Sequence, residues 1–171
     1  MTHPHISSLV VSDGRLRPAM KPITFRCEET LPHPPEVIAE RMLDLSNWLD
    51  FRGYGPIPPI ASAEFETRPP GVVGTRIRVQ NKDGSTHVEE IAEWRPTERL
   101  ELHMKEFSAP LSRLSGQFEE IWDFSPRGPG ETHVVRSFRL HPASPASWGV
   151  LWIISFFLKR AIARHLRQMK T

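Results

Sequence analysis

Two charged residues keep the most apolar company in this chain. Glu120 shares strand parity with Phe118, Trp122 and Phe124 in "GQFEEIWDF", and Arg136 shares it with Val134, Phe138 and Leu140 in "THVVRSFRL". Alternate residues of a strand point to opposite faces, so both charges are aimed at an apolar interior. With "SPRGPG" as the hairpin loop, antiparallel counting sets Trp122 against Val134, Glu120 against Arg136 and Phe118 against Phe138. Opposite residues lie ~5 Å apart at Cβ, within reach of an arginine–carboxylate contact. Three roles stay open for the pair: a structural ion pair at the edge of a cavity, an anchor for the polar head of a ligand, or acid–base chemistry by Glu120. An adjacent arginine should hold the Glu120 carboxyl low, away from the neutral range that proton transfer needs.

Glu90 is the second candidate acid or base. In "VEEIAEW" it shares parity with Val88, Ala92 and Trp94, which sets it inward as a lone carboxylate at the open end of the sheet or inside it. His103 alternates with Leu102 and Met104 and is expected to face solvent. The remaining histidines are scattered singly apart from His3 and His5, and no H-E-x-x-H spacing occurs, so no metal site is expected. A nucleophile elbow, a P-loop and a dinucleotide fingerprint are all missing, and no cofactor is expected.

These residues need elements to hold them. "ITFRCEETL" alternates as a half-buried strand, and "HPPEVIAERMLDL" reads as a helix opened by prolines, with a second short helix in "NWLDFR". "GYGPIPPI" is a stiff loop, because its prolines remove donors and fix φ. Six strands follow, bounded by turn chemistry such as "NKDGS" and "RPTE". Consecutive strands with short connections pair antiparallel. The last segment, 144–170, has Ser144 as N-cap and Pro145 at the first helical position, and this long helix must cover one face of the sheet.

This order resembles the START-like, or SRPBCC, superfamily, which includes the birch-pollen-allergen fold and the polyketide cyclase/dehydrase-like proteins. The resemblance covers residues 23 to 170 and rests on "PPEVIAERMLDLSNW", "GVVGTRIRV" and "VEEIAEWRPTERLEL". It implies an α+β helix-grip fold: a curved antiparallel seven-stranded sheet around a long C-terminal helix, with two short helices between the first two strands. It also implies an apolar cavity between sheet and helix for a lipid, polyketide, quinone or aromatic compound. Ile77, Trp94, Met104, Phe118, Trp122, Phe138, Trp152 and Phe156 are then expected on its wall, Glu120 and Arg136 as its polar anchor, and "GYGPIPPI" at its mouth.

At 171 residues the chain fits one domain, with residues 1–22 as an arm and 23–171 as a ligand-binding unit. The net charge is only +2 and the basic residues gather at the C-terminal helix end, so nucleic acid is not the expected partner. The single cysteine excludes an internal disulfide, and the start lacks a signal-peptide core, both consistent with a cytoplasmic protein. The run "WGVLWIISFFL" is too short to span a bilayer, which needs about 20 apolar residues. It is apolar nearly all round, so its second face needs cover from the arm, a second subunit or a membrane surface. Three functions remain: a binding protein for a hydrophobic small molecule, a cyclase or dehydratase using Glu90 or Glu120, and a lipid or quinone chaperone that docks on a membrane.

Overall fold

The computed structural model describes residues 9–12, 15–18 and 20–170. Strands β1 (Leu9–Ser12) and β2 (Arg15–Pro18) pair with each other as a separate two-stranded ladder; the rest of the expected N-terminal arm up to residue 19 lies outside the described residues.

From Ile23 the chain forms β3 (Ile23–Leu31), α1 (Pro35–Leu43), a 3-10 turn (Leu45–Asp50), β4 (Ile60–Thr67), β5 (Arg76–Asn81), β6 (Thr86–Arg95) and β7 (Arg99–Lys105). A short 3-10 turn (Leu111–Arg113), β8 (Ser115–Gly128), β9 (Glu131–Pro142) and α2 (Pro145–Gln168) complete it. The seven strands β3 to β9 form one antiparallel sheet in the order β3-β9-β8-β7-β6-β5-β4, so the first strand closes against the last and the sheet curls around α2. This is the helix-grip architecture. Proline opens both helices: Pro35 starts α1, and Pro145 starts α2 behind Ser144, whose hydroxyl accepts from the Ser147 backbone at 3.1 Å.

The concave face of the sheet carries Ile77, Val79, Ile91, Leu100, Leu102, Trp122, Phe138 and Leu140, all fully buried. From α2, Leu151, Ile162 and Leu166 close on them. The outer face is charged: Arg76 pairs with Glu66, Glu90 and Glu106, and Arg99 with Glu93, Glu101 and Asp123. The whole of α2 is long and apolar enough to cross a membrane by length and composition, which the 148–158 run alone is not, although its inner stripe is taken up by the sheet.

Two ladder irregularities decide where side chains point. A bulge between Ile91 and Glu93 lets Ile91 and Trp94, three residues apart, both face inward. Upstream of it the inward set is therefore His87, Glu89 and Ile91. Glu90 turns outward, against the expectation from parity with Trp94, and sits between Arg76 and Lys105 at 3.4 Å from each. The β8–β9 hairpin is tighter than a six-residue loop: the ladder runs on to Gly128 opposite Glu131, leaving Pro129 and Gly130, the latter at φ 74°. That shifts the expected register by two residues. Trp122 faces Arg136, Glu120 faces Phe138 and Phe118 faces Leu140.

Candidate functional site

A cavity of about 800 Å³ lies between the concave sheet face and α2. Its sheet wall is Met104, Phe118 and Trp122, backed by Phe107. The helix contributes Ile154, Leu158, Ile162 and His165, whose spacing of three and four residues makes one stripe along α2. One end is closed by Met42 and Trp48, from α1 and the 3-10 turn, and Trp48 is fixed there by donating its indole N–H to the Met42 carbonyl at 3.1 Å. Ile57 and Pro58 of the proline-rich loop form another part of the rim. Tyr54 and Ile57 exchange backbone hydrogen bonds of 3.0 and 3.1 Å, and this tight turn requires Gly53 at φ 65°, where a Cβ would stand 2.1 Å from the Ile57 carbonyl oxygen.

The floor of this apolar space is polar. Arg136 donates from Nε to Glu120 Oε1 at 2.7 Å and forms an ion pair with the same oxygen through a terminal nitrogen. Both residues are almost completely buried, at 5% and 3% exposure. The other terminal nitrogen of Arg136 donates to His165 Nδ1 at 3.0 Å. The guanidinium lies 4.0 Å over the Trp122 ring, so β8, β9 and α2 meet at one cation. Burial and the Arg136 charge hold His165 down to about 3, so its ring is neutral: Nδ1 accepts from Arg136 and the proton sits on Nε2.

Burial pushes the Glu120 carboxyl up, Arg136 pulls it back, and Glu89 pushes it up again. The net direction is upward, which overturns the expectation that the arginine would hold it low: desolvation of a fully enclosed carboxylate outweighs one partner. Glu89 is itself buried and lies 3.2 Å from His87 Nε2. The floor thus holds two carboxylates against one guanidinium. Trp122 Nε1 is the only buried side-chain nitrogen or oxygen among the described residues without a hydrogen bond, and it stands close enough to Glu120 to favour that carboxylate's charge.

Of the residues expected at the site, Met104, Phe118, Glu120, Trp122 and Arg136 line the cavity. Ile77 and Phe138 do not: both are fully buried in packed core, Phe138 stacked on Phe25 at 4.9 Å. Trp94 packs against that core as a half-buried residue away from the cavity wall. Trp152 and Phe156 face solvent at 56% and 48% exposure, because the inward stripe of α2 runs through Leu151, Ile154, Leu158 and Ile162, a position about 100° away on the helix. Glu90 is replaced inside by Glu89 for the reason the bulge gives. His103 lies on the outer face, 2.8 Å from Glu101. Sequence reasoning missed Glu89, His87 and His165. For His165 a signal exists, since it continues the 154–158–162 stripe with an apolar run before it.

A curved antiparallel sheet gripping one helix over a cavity with a polar floor defines a helix-grip fold. The chain belongs to the family "Polyketide cyclase / dehydrase and lipid transport", whose profile matches residues 22–171. Its backbone is similar to that of TTHA0849 from Thermus thermophilus, at a TM-score of 0.64 and 22% identity over 86% of this chain and 94% of that one. It is also similar to Ara h 8.0201, at a TM-score of 0.56 and 17% identity over 86% of this chain and 99% of that one. A START superfamily protein from Mycobacterium smegmatis gives a TM-score of 0.56 and 12% identity over 85% and 98% of the two chains. At these identities the likeness is one of fold. None of the curated proteins matches the chain significantly in sequence.

Proposed function

We propose that this protein binds a hydrophobic small molecule in the sheet–helix cavity, with the ligand's polar head on the Arg136–Glu120–His165 floor. The observation that carries this reading is the buried ion pair at the end of an apolar space of about 800 Å³. That volume falls in the range of small-molecule sites, and the apolar wall of Met104, Phe118, Trp122, Ile154, Leu158 and Ile162 suits an apolar body, while Arg41, Asp44, Asp50 and Arg52 add charge elsewhere in the lining. A lipid, a polyketide, a quinone or another aromatic compound fits the space.

The floor also favours one kind of head group. His165 Nε2 offers a neutral N–H donor, and Glu89 and Glu120 offer acceptors. At the floor the one arginine is already engaged by Glu120 and His165, so a hydroxyl or carbonyl head is favoured there over a carboxylate. Displacement of the neutral dye Nile red tests both points. Decanol should displace it at a concentration at least tenfold lower than decanoate, a difference of about 1.4 kcal/mol. Failure of decanol to displace the dye would remove the reading, and equal displacement by decanoate would remove the head-group preference.

One observation favours a second reading, a cyclase or dehydratase. Glu120 is a buried carboxyl pushed upward, beside a second buried carboxylate, and so is positioned to exchange a proton with a ligand at the floor. Turnover of a poly-β-carbonyl substrate by the wild type, lost in Glu120→Gln with dye binding intact, would select it.

A further inference from the structure

Helix α2 presents a second face, opposite its cavity stripe. Trp148 and Ile153 stand 42% and 54% exposed beside Trp152 and Phe156, and helical geometry gathers these four side chains into one patch about 12 Å long. The next turns carry Lys159, Arg160, Arg164 and Arg167 on the same side. Among the described residues none of these four cations is ion-paired with a carboxylate. Arg160 joins the two halves, its guanidinium 3.5 Å over the Phe156 ring.

A shallow pocket of about 300 Å³ lies on the cationic half, between Tyr54 and the side chains of Arg160, Arg164 and Arg167. Its lining holds three guanidinium groups and no carboxylate. Arginine forks of this kind suit phosphate oxygens. Tryptophans and aliphatics beside an arginine cluster match the two zones of an anionic bilayer surface, apolar side chains entering the interface and cations meeting lipid phosphates. A second copy of this chain fits less well. Pairing α2 with α2 sets arginines against either arginines or the aromatic patch, and supplies no carboxylate in either direction.

We infer that the outer face of α2 docks this protein on an anionic lipid bilayer, with Trp148, Trp152, Ile153 and Phe156 in the headgroup region and Arg160, Arg164 and Arg167 on lipid phosphates. Phe157 contacts Tyr54 at 6.3 Å between ring centroids and abuts Gly55, so the docking face adjoins the loop that rims the cavity. Docking therefore brings the rim to the membrane, where an apolar ligand is exchanged without crossing water.

Co-sedimentation with vesicles tests the inference. The wild type should pellet with equimolar phosphatidylcholine–phosphatidylglycerol vesicles, with a blue shift of tryptophan emission, and at least tenfold more weakly with phosphatidylcholine alone. The pair Trp152→Ser/Ile153→Ser should at least halve the blue shift, leaving the part due to Trp148, and Arg160→Glu/Arg164→Glu should weaken pelleting at least tenfold. None of these four residues lines the cavity, so both variants should keep wild-type Nile red affinity, which separates this test from that of ligand binding. Three results would overturn the inference: no pelleting with the mixed vesicles, equal pelleting with both vesicle types, or a wild-type dimer that Trp152→Ser/Ile153→Ser converts to monomer.

Discussion

Arg136 and Glu120 meet on the diagonal: Glu120 faces Phe138 across the β8–β9 ladder, Arg136 faces Trp122, and the ion pair spans the step between them. The geometry frees the guanidinium to lie over the Trp122 ring while its far nitrogen reaches α2 at His165. Arg136→Met would leave two buried carboxylates with no cation and should cost about 3–5 kcal/mol. Glu120→Gln leaves Glu89 as a counter-charge and should cost less, about 1–3 kcal/mol. The double variant should recover part of the loss. Urea unfolding of the four proteins measures the coupling, and additive losses would contradict it.

His165 sets a pH dependence. Its pKa falls from 6.5 in the unfolded chain to about 3 in the native one, so the unfolded state takes the proton first. The contribution is complete above about pH 6.5 and drains as the pH falls toward 3, at about 1.4 kcal/mol per pH unit. His165→Gln keeps an acceptor for Arg136 without titrating there. Its stability should fall by about 2 kcal/mol less than the wild type's between pH 7 and pH 5, read from urea midpoints.

Leu158 points into the cavity from α2. Because it borders the cavity, Leu158→Trp should cost less than about 1 kcal/mol, below the usual cost of overpacking a core. Nile red affinity should nevertheless fall at least tenfold. Unchanged affinity would place the dye elsewhere.

Gly53 should tolerate no side chain. A Cβ there meets the Ile57 carbonyl oxygen at 2.1 Å on a backbone already at φ 65°. Gly53→Ala is expected to cost about 2 kcal/mol or more and to weaken ligand binding, because Ile57 and Pro58 form part of the rim. Thermal unfolding and dye titration check the two effects together.

The order of elements and the antiparallel pairing from β4 to β9 were legible because short connections announce themselves and Ser144–Pro145 marks the start of α2, whereas the closure of β3 on β9 rests on a long-range pairing that no turn announces. The facing of Glu120 and Arg136 was legible from parity alone. Glu89 was not, since a one-residue bulge at Ala92 reverses parity upstream, and nothing in "EEIAEW" distinguishes a bulged strand from a regular one. The orientation of α2 was ambiguous for a related reason. In "WGVLWIISFF" apolar residues occupy every face, so periodicity gives no preference between Ile154 inside and Trp152 outside. The walls from Trp48, Ile57 and Phe107 come from loops and short turns, whose placement depends on tertiary packing.

Native mass spectrometry after incubation with a total lipid extract, in the absence of detergent, tests the central claim most directly. The wild type should carry one apolar molecule per chain, and the species retained should have hydroxyl or carbonyl heads rather than carboxylates. Leu158→Trp should carry none, and Arg136→Met should retain less of the same species while staying folded. A wild type that emerges without an adduct, or adducts that are indifferent to both substitutions, would contradict the cavity as a binding site.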